Sequence, residues 1–136
     1  MSWDAGGPLG LAAHAAIADR RGRLLLLRRP AASANNSGRW EFPGGRIGPG
    51  EGVRDALARE VRDETGLTVK PGRLLGAGDQ RQSEGRVVHL ILNSTAPDRE
   101  IVLSAEHDAY RWVTPKGLVE LPLSDWMEGW YASQIE

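Results

Sequence analysis

Residues 45–67 read GRIGPGEGVRDALAREVRDETGL, and this stretch places acidic residues where a helix normally carries apolar ones. We expect a helix from about Gly52 to Thr65, because Pro49-Gly50 precedes it and Gly66 can end it in the left-handed conformation. At 100° per residue its apolar positions form one stripe, made of Val53, Ala56, Leu57 and Val61. Glu60 and Glu64 project into that same stripe. The helix is therefore predicted to turn two carboxylates inwards.

Inward carboxylates repel each other and cost several kcal/mol to desolvate unless a positive charge neutralises them. Glu60, Asp63 and Glu64 stand at i, i+3 and i+4, so their oxygens can converge within one turn. Hard oxygen ligands with neither cysteine nor an interleaved histidine favour Mg²⁺, or Mn²⁺, over zinc. The competing interpretation is a solvated amphipathic helix with i,i+4 ion pairs between Glu and Arg. Since Mg²⁺ usually also binds substrate phosphates, the pattern predicts a phosphate-processing site.

The same stretch resembles the signature of the Nudix hydrolases, Gly-x5-Glu-x7-Arg-Glu-U-x-Glu-Glu-x-Gly-U, where U is a bulky aliphatic residue. Residues 40–46, WEFPGGR, are similar to the segment that precedes this signature in MutT-like members. Asp63 is the one departure from the pattern. The resemblance implies an α/β fold, a mixed β-sheet sandwiched between α-helices, as a single domain over residues 1–136. It also implies hydrolysis of a nucleoside diphosphate linked to a further group.

The resemblance assigns metal ligands as well. Glu60 and Glu64 match the family's ligand positions, with Asp63 as a third acid and the Gly44 carbonyl as a further oxygen donor. Because the side chain of Asp63 is one methylene shorter than Glu, we expect it to bind through water or to hold a second ion.

A structural salt bridge of the family falls on Glu51 and Arg59, where it would tie the loop to the helix. We favour this structural role over a catalytic one for Glu51. The pair is expected to hold the loop of residues 45–52 against the helix.

A general base, or an additional ligand, is expected after the sheet. Family members often carry a Glu six residues before a Trp that re-enters a strand, and Glu106 reproduces that spacing before Trp112. We favour Glu106 over His107 and Asp108. The alternative is that this acidic cluster is only a solvated loop.

Four further residues are candidates for substrate binding: Arg28, Arg29, Arg46 and Asp125. The arginines lie near the expected cleft and can bind phosphate, although arginines at a strand end are often surface charges. Asp125 can accept a hydrogen bond from a purine amino group, but it also suits the first turn of a helix. For His14 and His89, on predicted strands, a structural role is favoured over a ligand role.

Composition narrows the class of protein. The chain has 136 residues, a net charge of −1, 40% hydrophobic residues and no cysteine. These values predict one hydrophobic core, no disulfides and no nucleic-acid or membrane surface. Residues 1–10 do not resemble a signal peptide, so a cytoplasmic location is expected. A homodimer is expected from the apolar strand edges and from a C-terminal helix with Trp126 and Trp130.

The remaining pattern predicts mostly strands. Residues 9–18 and 23–29 are predicted to form one hairpin, and residues 73–82 and 86–95 a second, turning at 83–85. Shorter strands are expected at 98–104 and 110–113, a short helix at 114–121 capped by Thr114, and a longer helix at 124–134.

The substrate is less well specified. Neither the Pro of ADP-ribose hydrolases nor the Tyr of dinucleoside polyphosphate hydrolases is found at the matching positions, near residues 82–85. The leading hypothesis is a nucleoside or deoxynucleoside triphosphate pyrophosphohydrolase, with oxidised purine nucleotides as the narrower version. Hydrolysis of ADP-ribose, nucleotide sugars or dinucleoside polyphosphates stays open, as does a non-catalytic nucleotide sensor. A diphosphate isomerase is disfavoured because it commonly needs Cys.

Overall fold

The computed structural model describes residues 8–82 and 85–134. They form seven strands, two α-helices and a short 3-10 helix. The strands are β1 (Leu9–Ile17), β2 (Leu24–Arg28), β3 (Trp40–Glu41), β4 (Gly44–Arg46), β5 (Lys70–Gln82), β6 (Gly85–Thr95) and β7 (Ala109–Val113). The helices are α1 (Val53–Thr65) and α2 (Asp125–Gln134), and the 3-10 helix spans Pro115–Glu120.

The strands form two sheets. The larger is mixed, with the order β4-β1-β6-β5, and the smaller is antiparallel, with the order β3-β2-β7. In the larger sheet β1 runs parallel to β6 and antiparallel to β4. The hairpin predicted for β1 and β2 is therefore wrong, since the two strands belong to different sheets and share only an isolated bridge between Ala18 and Leu24. Both are interior strands, and each finds its two neighbours elsewhere in the chain.

Apolar cores cover both faces of the larger sheet. Alternate residues of β1 point to opposite faces. Ala13, Ala15 and Ile17 join a core that contains Leu57 and Val61 of α1. Ala16 joins a second core with residues of α2. The predicted α/β architecture, a mixed sheet between helices, is confirmed, with the smaller sheet as an addition that the sequence did not indicate.

Helix α1 begins and ends as predicted. Gly52 is its N-terminal cap, and Gly66 ends it with φ 78° and a hydrogen bond from its N–H to the Arg62 carbonyl. Glu64 is buried, as the inward stripe required, and Glu60 is partly buried. Glu60 and Glu64 thus face inwards at the C-terminal half of the helix, whereas Asp63 between them is exposed.

The strand predicted at residues 98–104 is wrong. This segment donates hydrogen bonds to the end of α1 instead, from Val102 N to the Thr65 carbonyl at 2.9 Å and from Ser104 N to the Glu64 carbonyl at 3.2 Å. The last carbonyls of a helix lack partners within it, so the segment satisfies them in place of a sheet neighbour. Those two bonds bring the nearby Glu106 towards Glu64.

The other elements follow the predictions. Strands β5 and β6 pair antiparallel, although residues 83 and 84 of their predicted turn lie outside the described residues. The short helix is capped by Thr114, whose hydroxyl accepts from Gly117 N. Residues 1–7, part of the segment compared with a signal peptide, also lie outside the described range.

Helix α2 packs its tryptophans inwards. Trp126 and Trp130 are 1% and 8% exposed, so neither is available to a partner subunit, and one of the two reasons for expecting a homodimer is removed. The helix lies against β5, where a Cβ on Gly78 would collide with the Trp126 carbonyl. None of the helices among the described residues is long and apolar enough to cross a membrane.

Candidate active site

A cleft of about 370 Å³ opens beside α1 and extends along the larger sheet. It is lined by Ala12, His14, Arg29, Asn35, Asn36, Glu41, Gly44, Gly45, Arg46, Glu60, Glu64, Gln80, Gln82, His89, Glu106 and Trp126. Two of the three metal-ligand candidates of α1, the candidate base and two of the three candidate arginines therefore share one cavity.

The carboxylate of Glu64 lies at the buried end of this group. Its Oε1 accepts a hydrogen bond from Gly44 N at 2.9 Å, and the residue is 3% exposed. Burial raises the pKa of Glu64 to about 9; the bond from Gly44 opposes the rise, and the negative charges of Glu106, Glu41 and Glu60 add to it. A cation at this position would reverse the effect by stabilising the ionised carboxylate.

Gly44 brings the backbone to Glu64. Its φ is 147°, a conformation that residues with a side chain rarely adopt, and a Cβ there would collide with the Ala13 carbonyl. The sharp turn of the backbone between β3 and β4 depends on this glycine. The amide of residue 44 can therefore reach the carboxylate of Glu64.

Glu60 is held from two sides. A Cβ on Gly45 would collide with Glu60 Oε2, so the absence of a side chain there leaves room for the carboxylate. Arg59 Nη1 donates to Glu60 Oε1 at 2.7 Å. The same guanidinium donates to both carboxylate oxygens of Glu51, from Nε and Nη2, at 2.8 Å each. Glu51 Oε1 also accepts from Gly48 N at 2.7 Å, so one arginine links the loop to a ligand candidate.

The third acid of the motif is placed differently. Asp63 is exposed and does not line the cleft, whereas Glu106 does. Of the residues named beside Glu106, His107 is buried against Glu41 and Asp108 pairs with Arg28. Of these three neighbouring residues, Glu106 alone reaches the acids of α1.

The donor set fits a hard divalent cation that keeps several waters. No three His, Asp or Glu side chains in residues 8–82 and 85–134 are gathered closely enough to hold an ion on their own. Instead, Glu60, Glu64 and Glu106 border one cavity, and the charges of Glu106 and Glu60 disfavour the ionised form of Glu64. Mg²⁺ commonly binds through one or two carboxylates and completes its shell with water and phosphate oxygens.

The candidate substrate residues separate into two groups. Arg29 and Arg46 line the cleft. Arg28 does not; its Nε donates to Asp108 at 2.8 Å, and its guanidinium lies 5.6 Å from the Trp40 ring centre. The structure therefore does not bring Arg28 to the cavity.

Asp125 is the first residue of α2. Its Oδ1 accepts from Trp126 N at 2.7 Å and from Asn36 Nδ2 at 3.2 Å, and its own N–H donates to Asn36 Oδ1. The aspartate thus stabilises the start of the helix and secures a loop residue that lines the cleft, while Asp125 itself does not line it.

Glu41 is a buried carboxylate that sequence reasoning missed. It is 5% exposed and accepts from His107 Nε2 at 2.9 Å, the Ser124 hydroxyl at 3.0 Å and Arg29 Nη1 at 3.3 Å. Burial alone would raise the pKa of Glu41, but the bond from His107, with neighbouring positive charge, lowers it to about 2. An acid between Trp40 and Phe42, both buried, was the available signal.

A chain of hydrogen bonds joins three further cleft residues. His14 Nδ1 lies 2.9 Å from the Phe42 carbonyl, His14 Nε2 lies 2.8 Å from His89 Nδ1, and His89 Nε2 lies 2.7 Å from Gln80 Oε1. Burial lowers the pKa of both histidines, that of His89 to about 3, so both are neutral near pH 7. The structural role expected for the two histidines is consistent with these bonds.

Comparisons with known proteins agree with the site. The model of the NUDIX domain family matches residues 8–134. The CTP pyrophosphohydrolase of Escherichia coli (strain K12) is 41% identical over 111 residues, which is 81% of this chain and 80% of that protein. The nucleoside triphosphatase NudI of Escherichia coli (strain K12 / DH10B) is 34% identical over 98 residues, covering 64% of this chain and 70% of that protein. The crystal structure of the MutT protein from Methanosarcina mazei Go1 superposes with a TM-score of 0.86 at 30% identity, covering 93% of each chain. With Glu60 and Glu64 of the signature around one cavity and a family match from residue 8 to residue 134, the chain belongs to the NUDIX domain family and is a Nudix hydrolase.

Proposed function

We propose that this Nudix hydrolase is a Mg²⁺-dependent pyrophosphohydrolase of nucleoside or deoxynucleoside triphosphates, which releases a nucleoside monophosphate and pyrophosphate. One observation carries the proposal: Glu60, Glu64 and Glu106 border one cavity that also contains Arg29 and Arg46. Carboxylates beside arginines suit a cation and the polyphosphate that the cation accompanies. Two relatives, a CTP pyrophosphohydrolase and a nucleoside triphosphatase, support this substrate class.

Each residue of the cavity has a proposed task. Glu60 and Glu64 would hold the metal together with the Gly44 carbonyl, and Asp63, which lies outside the cavity, would act through water or on a second ion. Bound Mg²⁺ would neutralise phosphoryl oxygens and favour ionisation of a water. Glu106 takes the proton of the attacking water, because it is the exposed acid that faces Glu64. Arg29 and Arg46 bind the phosphates.

The decisive variant is Glu64→Gln, which keeps the hydrogen bond acceptor for Gly44 N and removes the charge. We expect turnover to fall by at least about a hundredfold, since a buried ligand charge is lost. Asp55→Asn is the matched control, because Asp55 is an exposed acid in the first turn of the same helix. The Glu64 variant is first freed of trace metal by chelation and is then assayed in Mg²⁺. Turnover at the wild-type rate would refute the metal assignment.

The substrate class is tested by a panel of triphosphates, ADP-ribose, nucleotide sugars and dinucleoside polyphosphates, with Mg²⁺ or Mn²⁺. Pyrophosphate release from triphosphates supports the proposal, and turnover of only the other compounds would replace it. An oxidised purine triphosphate in the panel tests the narrower hypothesis. Binding of nucleotides without any product would instead identify a sensor.

A further inference from the structure

The chain of hydrogen bonds from Phe42 to Gln80 has a fixed direction. A backbone carbonyl can only accept, so His14 Nδ1 must carry the proton that binds the Phe42 oxygen. In a neutral ring the other nitrogen is then an acceptor, and His14 Nε2 must receive its bond from His89 Nδ1. His89 Nε2 is in turn left as an acceptor.

Gln80 must therefore donate to His89. Its Oε1 lies 2.7 Å from His89 Nε2, which would set two acceptors against each other. A half-turn of the terminal amide resolves this conflict, because the NH₂ group then donates to His89 and Oε1 points away from it. A doubly protonated His14 or His89 is the alternative, and either would place a cation in a buried ring, 3% or 7% exposed, that packs against Trp126.

The Gln80 side chain borders the cleft. Gln80 and His89 both line the cavity, and Gln80 is 9% exposed. Gln80 lies on β5 and Gly44 on β4, the two edge strands of the larger sheet. With neighbouring strands roughly 4.8 Å apart, about 14 Å separates the two edges. A nucleotide with its phosphates beside Gly44 and Glu64 can thus extend its base towards Gln80.

We propose that Gln80, oriented by His14 and His89, presents a fixed carbonyl acceptor that selects bases with an exocyclic amino group, cytosine or adenine, over their carbonyl counterparts. The selection depends on the histidines. An isolated glutamine amide can rotate and donate to a carbonyl as easily as it accepts from an amino group. Here rotation would break the bond to His89, so a uracil or hypoxanthine carbonyl meets a second acceptor. This inference rests on the proposed action on nucleoside triphosphates.

The test compares kcat/KM for two substrate pairs, CTP with UTP and ATP with ITP, in the wild-type enzyme and in Gln80→Leu. We expect the wild type to favour the amino-bearing member of at least one pair by about tenfold, the equivalent of one hydrogen bond. In Gln80→Leu the ratio should approach one, mostly through KM. Gln82→Leu is the matched control on the same strand and cavity, and it should retain the wild-type ratio.

His89→Phe tests the orienting role, since it keeps a ring against Trp126 and removes the acceptor for Gln80. The preference for the amino-bearing substrate of a pair should fall as it does in Gln80→Leu, while kcat for UTP is retained. Thermal denaturation must show that each variant is folded, and an unfolded Gln80→Leu is replaced by Gln80→Met. Equal wild-type rates on both members of both pairs, or an unchanged ratio in the Gln80 variant, would overturn the inference. Absence of hydrolysis of any triphosphate would instead overturn the proposed function.

Discussion

Two adjacent glycines in the candidate active site have different tasks. Gly44 lacks a side chain because the backbone of β1 occupies that space, whereas Gly45 lacks one because Glu60 does. The first requirement concerns the fold, and the second concerns the position of a proposed metal ligand. Substitution of each glycine by alanine separates the two effects.

Gly45→Ala is expected to lower kcat by about tenfold or more and to leave the melting temperature nearly unchanged. The new Cβ displaces the end of a flexible glutamate, which costs little folding energy but moves the carboxylate from its site. Gly44→Ala is expected to destabilise the protein by roughly 2 kcal/mol or more, because it strains φ and meets the Ala13 carbonyl. Thermal denaturation and turnover at saturating Mg²⁺ check both. Equal melting temperatures for the two variants would contradict this division.

Among the elements, α1 and the loop before it work as one unit through Arg59. Its guanidinium binds Glu51 in the loop and Glu60 on the helix. The planar fork of arginine can serve two carboxylates at once, and a lysine ammonium on its flexible stem cannot reproduce that geometry. The arrangement positions Glu60 more than it stabilises the fold, since exposed ion pairs contribute little.

Arg59→Lys should accordingly lower kcat by about tenfold with little change in melting temperature, because one charge-assisted hydrogen bond to Glu60 is lost. Arg62→Lys on the exposed side of the same helix is the control, and it should behave as the wild type. A large loss of stability in the Arg59 variant would show that the residue acts mainly as a structural brace.

The sequence predicted α1 most accurately, since its caps, its inward acids and its ion-pair partners are all local. It predicted the β5–β6 pairing for the same reason. The partners of β1 and β2 were mispredicted because a buried strand of Ala and Leu does not specify which neighbour it takes. Residues 98–104 were mispredicted because their hydrogen bonds go to the end of a distant helix.

Parts of the cleft could not have been found from sequence. Glu41, His107, His14, His89 and Gln80 lie far apart along the chain and meet only after both sheets have formed. The sequence pattern of a strand does not show whether a buried histidine is hydrogen-bonded to other side chains or is buried alone. The metal-ligand candidates were found because they share one helix turn.

At the scale of the whole molecule, ionisation of the Glu64 carboxyl opposes folding when no cation is bound. The carboxyl of Glu64 has an ordinary pKa of 4.5 and a pKa of about 9 in the folded chain, chiefly through burial. Between these values the folded protein keeps a proton that the unfolded chain has released. The contribution of Glu64 to metal-free stability therefore decreases as the pH rises through that window.

We expect the melting temperature in EDTA to fall from about pH 7 to pH 9 and the Glu64→Gln variant to show a weaker slope. Below about pH 6.5 the lowered pKa values of His14 and His89 oppose this fall. Added Mg²⁺ should raise the wild-type melting temperature most at the alkaline end, where the ionised carboxylate binds it, and should affect the variant little. A pH-independent melting temperature in EDTA, for a wild-type protein shown to be metal-free, would contradict this account.

The parallel pairing of β1 with β6 also bears on how the chain folds. Leu9 of the first strand lies opposite Arg86, and the pairing continues to Ile17 opposite Ser94. Contacts between such distant segments form slowly, because a long loop must close before they contribute. During synthesis β1 cannot pair with β6, its neighbour in the middle of the sheet, until β6 has left the ribosome. Over that interval its apolar residues 11–17 are the segment of the nascent chain most open to chaperones and to misassociation.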